Sequence, residues 1–142
     1  MSTGVEFYVN PKVCNDSPAL GWYSGDRKVL VVCQENHKST TTEKQVAWTA
    51  EDYDTLRHEA QHLIQDCMDR KIDHQLVPVY RNPIDLAIRV LGAKAMSALH
   101  NRYTERGANL NTVILEYEAF SVAALNDPLE QVEDIKRFCG VN

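Results

Sequence analysis

The chain has 142 residues, 44% hydrophobic and 25% charged, with a formal charge of −5. That makeup fits one globular domain over residues 1–142, and its acidic balance gives no electrostatic case for nucleic acid or an anionic membrane as partner. No apolar run approaches membrane-spanning length, and the first ten residues carry Glu6 and Asn10 in place of a basic flank and apolar stretch. The expectation is therefore a cytoplasmic protein without a targeting segment.

In chain order, Val5–Val9 reads as a first strand. Leu20–Tyr23 and Lys28–Cys33 flank Ser24-Gly25-Asp26-Arg27, a turn sequence, and form a hairpin whose second strand is β-branched and apolar. The polar run Lys38–Lys44 reads as a surface loop. At Thr49 the hydrophobic period changes. Thr49 can cap a helix, with Asp52 closing the capping box, and Tyr53, Leu56, Ala60, Leu63, Ile64 and Cys67 recur at helical spacing. Asn82-Pro83 starts a second helix, expected to run to about Arg106 before Gly107. Asn111 can cap a third, ending near Asn126, and Asp127-Pro128 caps a fourth, closed by Gly140. Strands first and helices after predict an α+β domain, a small N-terminal β-sheet followed by a helical bundle. The four cysteines, Cys14, Cys33, Cys67 and Cys139, form no Cys-x-x-Cys pair. A Cys-only zinc site is thereby disfavoured, and buried free thiols are the expectation for a cytosolic chain.

The first helix carries His58-Glu59-Ala60-Gln61-His62. Residues at i and i+4 lie one turn apart on one face, so both imidazoles can converge on one tetrahedral metal ion. Glu59 is rotated off the ligand face yet can reach a water activated there, as a general base must. A third ligand should come from a neighbouring element, leaving one position open. The third predicted helix is apolar nearly all round and carries two carboxylates, Glu116 and Glu118. Such acids are costly to bury unless paired, hydrogen-bonded or metal-bound. Glu116 shares its face with small Ala119 and Ala123, which permit close approach of another helix. Glu118 points about 200° away, so both cannot face one metal.

His58-Glu59-Ala60-Gln61-His62 followed by Glu116-Tyr117-Glu118-Ala119 resembles the gluzincin family of zinc metallopeptidases, whose third ligand is the first Glu of a Glu-x-x-Ala helix. The likeness is to minimal zincins: a mitochondrial peptidase family that processes an ATP synthase subunit, and compact bacterial and phage peptidases that cleave repressors. Val31-Val32-Cys33-Gln34, Thr55-Leu56 and Cys67 are similar to features of the mitochondrial family, and the likeness covers roughly residues 20–70 and 112–125. It implies a zincin-like fold, Zn2+ bound by His58, His62 and Glu116, Glu59 as base, and a protein or peptide substrate. With the ligand-count rule, the resemblance also gives the expectation that Glu116→Gln weakens zinc binding severely while Glu118→Gln keeps zinc and most activity. Where related peptidases often have Asp or Asn after the Ala, this chain has Phe120, and Lys71–Arg106 has no counterpart.

Peptide hydrolysis also needs a donor for the developing oxyanion, and His74, His100, Tyr103 and Tyr117 are all candidates. The Val29–Cys33 strand offers an edge on which an extended substrate could add as a further strand, unless it is buried inside the sheet. Two other functions compete with the peptidase. One is a zinc-stabilised protein-binding module without turnover, in which Glu59 would have no role. The other is a metal-free helical regulatory domain, which zinc analysis would distinguish.

Overall fold

The computed structural model describes residues 3–37 and 44–140. The Lys38–Lys44 run lies outside these apart from Lys44, which has no regular structure. A three-stranded sheet is followed by five α-helices, an α+β arrangement.

The strands are β1 (Glu6–Val9), β2 (Gly21–Ser24) and β3 (Val29–Val32), in the spatial order β1-β3-β2. A short 3-10 helix, Lys12–Asp16, lies between β1 and β2. β1 runs parallel to β3 with Phe7 opposite Leu30, and β2 runs antiparallel with Tyr23 opposite Leu30. β3 is thus central, and its Leu30, Val31 and Val32 are all buried, as a continuous apolar run requires. Both edges of β3 are already paired. The expectation that Val29–Cys33 could receive a substrate strand is therefore corrected, and β2 is the outer strand on that side of the sheet.

Helix α1 (Ala50–Cys67) begins where the cap chemistry places it. Asp52 N–H donates to Thr49 Oγ1 at 3.1 Å, and Thr49 N–H donates to Asp52 Oδ2 at 3.0 Å. From Glu59 to Cys67 every residue of α1 is buried, because β2, β3, α4 and α5 all pack around it. Ala60, Leu63 and Cys67 join Tyr23, Leu30, Val32 and Cys139 in the main core. A second core of Ala87, Leu99, Val113 and Tyr117 sits among α2 (Pro83–Val90), α3 (Ala93–Glu105) and α4 (Leu110–Leu125). The expected single helix from Asn82 to Arg106 is thus two. Gly92 interrupts it with φ 87° and ψ 160°, a conformation that side-chain-bearing residues avoid. Asn109, not Asn111, caps α4, accepting from Thr112 N–H at 2.9 Å. Helix α5 (Pro128–Cys139) starts from Asp127 and stops at Gly140, φ 68°.

The cysteines are a correction to the free-thiol expectation. Cys14–Cys33 and Cys67–Cys139 are disulfides, with Cα–Cα distances of 5.7 and 5.0 Å. Their members are 19 and 72 residues apart, so only the folded path brings them together. Among the described residues, no helix is long and apolar enough to cross a membrane.

Candidate metal centre

His58 and His62 project from successive turns of α1, their rings 4.9 Å apart and nearly perpendicular. α4 packs along α1, and Glu116 spans the two imidazoles. Its Oε1 lies 2.9 Å from His58 Nε2 and its Oε2 3.0 Å from His62 Nε2. One ligand atom from each of the three residues falls within 4.8 Å of the others. Two imidazole nitrogens and a carboxylate oxygen this close together are a donor set of the kind that suits zinc. Burial works against charge on His62, but the hydrogen bond and negative charge of Glu116 outweigh it and push its pKa up to about 9. Burial likewise disfavours the Glu116 carboxylate, yet hydrogen bonds from His58 and His62 hold it well below the usual carboxylate range. The trio is thus a cluster whose proton a divalent cation would displace.

Glu59 sits beside this cluster, with Oε1 3.8 Å from His58 Nε2. Burial raises its pKa, while the nearby His62 and His58 and a hydrogen bond from the Tyr23 backbone N–H pull the other way. A buried carboxyl held by the outer strand of the sheet, its pKa raised by burial, is suited to accept and return a proton. His58 and Glu59 form part of the floor of an open cleft of about 600 Å³, whose walls include Leu20, Gly21, Leu91 and Tyr103.

The four oxyanion candidates separate cleanly. Tyr103 lines the cleft and its hydroxyl donates to Glu116 Oε1 at 3.2 Å. Burial, and then the charge of Glu116, hold this phenol protonated to well above its ordinary range, so it stays a donor. His100 lines a different groove with Ile88 and Met96. The Tyr117 hydroxyl donates to Met96 O at 3.3 Å. His74 accepts from Gly25 N–H at 3.0 Å in the hairpin turn and stacks on Tyr23.

Sequence reasoning missed the residues behind the candidate ligands. His62 Nδ1 meets Gln65 Oε1 at 2.8 Å, and Gln65 Nε2 reaches Glu118 Oε1 at 3.2 Å. Two buried glutamines one turn apart in α1, Gln61 and Gln65, were the available signal. His58 is supported differently: Phe120 packs edge-on at 4.2 Å between ring centroids, and among the described residues His58 Nδ1 has no hydrogen-bond partner. A second acidic group, Asp66, Asp69 and Asp73, lies at the end of α1. There Asp66 is engaged by Tyr23 Oη and by the N–H groups of Asp73 and His74.

No curated protein and no solved structure matches this chain. A family model described as "Domain of unknown function (DUF8637)" matches residues 2–140, and the chain belongs to that family.

Proposed function

We propose that the chain is a zinc-dependent metallopeptidase with a minimal zincin-like fold, acting on protein or peptide substrates. The observation that carries this reading is the convergence of His58, His62 and Glu116 on one point at the edge of an open cleft, with the unliganded carboxyl of Glu59 alongside. A zinc ion held by these three residues supplies Lewis acidity and lowers the pKa of the water it binds to about 7. Glu59 takes the proton of the attacking water and returns it to the leaving amine, a role its raised pKa suits. Tyr103 donates to the carbonyl oxygen as negative charge develops there, in place of its present bond to Glu116. The apolar cleft lining of Leu20, Leu91, Phe120 and Ala123 suits a nonpolar substrate side chain. Two disulfides favour work in an oxidising compartment over the reducing cytoplasm.

The test is made on protein purified without a metal-binding tag. Elemental analysis should find one zinc per chain, and a peptide library should be cleaved until chelator is added. Glu59→Gln should keep the zinc and lose about 10²–10⁴-fold or more in kcat, the usual contribution of general acid–base catalysis. Absence of zinc together with no uptake of added zinc would sink the reading.

A further inference from the structure

Glu118 lies two residues beyond Glu116 on the opposite side of α4 and is wholly buried. Its carboxylate meets four donors: Gln61 Nε2 at 3.0 Å, Gln65 Nε2 at 3.2 Å, Val79 N–H at 2.9 Å and Tyr80 N–H at 3.1 Å. Four N–H donors around one carboxylate offset the cost of burying it. They also give the surrounding hydrogen bonds a direction. The Gln65 carboxamide nitrogen is held by two acceptors, Glu118 Oε1 and Leu115 O, the latter at 3.1 Å. Its oxygen must then face the other way, and it lies 2.8 Å from His62 Nδ1. An acceptor at that position requires an N–H on Nδ1. Nε2, which points at Glu116, is then the nitrogen left to carry the lone pair towards a metal.

We infer that Glu118 is a positioning residue of the metal centre: acting through Gln65, it fixes the tautomer and ring orientation of His62. The inference rests on the reading that His62 binds a metal through Nε2. It stands against the sequence-based expectation that Glu118→Gln keeps zinc and most activity, and that variant decides between them. The support of the two imidazoles is one-sided, since among the described residues His58 Nδ1 has no such chain and its ring rests on Phe120. The same carboxylate holds the backbone at Val79 and Tyr80, so the segment leading into α2 is anchored to the chain that orients His62.

The experiment is a double-mutant cycle on zinc affinity, measured by competition with a chromophoric chelator, with Glu118→Gln, Gln65→Met and the double variant. Each single change should weaken zinc by about 10- to 100-fold, as loss of an outer partner does. The double should be no worse than the weaker-binding single, because both break one chain. In the zinc-loaded wild type the His62 Nδ1–H should give a slowly exchanging imidazole proton resonance, which Gln65→Met should shift or abolish. Wild-type affinity in both singles overturns the inference while the metal centre stands. So do additive losses with an unchanged His62 resonance, which would make Glu118 a scaffold residue only. A wild type that binds no zinc overturns the metal centre and the inference together. Should Glu118→Gln fail to fold, Glu118→Asp takes its place in the cycle, keeping the charge but withdrawing it from Gln65.

Discussion

Removing the Cys67–Cys139 disulfide by Cys139→Ala gives the sharpest test of how the bundle is held around α1. The bond ties the last residue of α1 to the last residue of α5 across a separation of 72 residues. Closing a loop of that size withdraws about 4.4 kcal/mol of chain entropy from the unfolded state at 25 °C, against about 3.2 kcal/mol for the 19-residue separation of Cys14–Cys33. With roughly 3 °C per kcal/mol for a chain of this size, metal-free Cys139→Ala should melt about 13 °C lower and Cys14→Ala about 10 °C lower. The loss should reach the metal centre. Gln131 on α5 donates to Arg57 O at 2.8 Å and to Gln61 Oε1 at 3.3 Å, bracing the turn of α1 that carries His58. Scanning calorimetry gives the melting temperatures, and thiol titration of the unsubstituted chain in denaturant should find none before reduction and four after. Four titratable thiols without reductant would refute the reasoning, as would a Cys139→Ala protein melting within 2–3 °C, on the order of a surface change.

Three further outcomes are expected. Glu116→Gln should weaken zinc by well over the ~100-fold that outer partners contribute, because it removes a ligand; near-native affinity in a chelator competition would reassign the third ligand. Tyr103→Phe should lower kcat by about 10²–10³ with KM little changed, and an unaltered kcat on the best peptide substrate would exclude it as the oxyanion donor. The third outcome concerns pH. The His62 pKa is raised to about 9 in the metal-free fold, so the stability it contributes is fully present below its unfolded value near 6.5 and is lost as pH rises through 9. Zinc must displace that proton, so its apparent affinity should climb up to about tenfold per pH unit towards 9 and then level off. A flat affinity between pH 6.5 and 9 would contradict a proton shared by His62 and Glu116.

How much was legible depended on whether local chemistry and the fold pointed the same way. Helix α1 was readable to its first residue because Thr49 and Asp52 cap it and its apolar period continues to Cys67. The nearness of His58 and His62 then follows from helix geometry alone. The break at Gly92 was not readable, since helical spacing persists on both sides and a lone glycine costs a helix only about 1 kcal/mol. That break decides how α3 lies, and with it why Tyr103 faces Glu116 while His100 faces a separate groove. The central place of β3 depends on parallel pairing with β1, and its four-residue apolar run fits an inner strand or a covered outer one equally. The disulfides were hidden for the same reason. Sequence spacing says nothing of Cα proximity across 72 residues.

The two acids of α4 show where a single explanation was too economical. An apolar helix with Glu116 and Glu118 invites one account for both, a metal ligand and a dispensable neighbour. Their angular separation excludes a shared target, and Glu118 is the more deeply buried of the two. A carboxylate with four N–H donors and no route to water carries an electrostatic load that the fold would not bear without return. Glu116 collects two imidazoles from α1; Glu118 collects two glutamines from the same helix and two backbone N–H groups from the loop behind it. On the proposed reading one helix supplies α1 with both a metal ligand and the anchor that orients another, and the pair accounts for acids on both sides of an otherwise apolar helix.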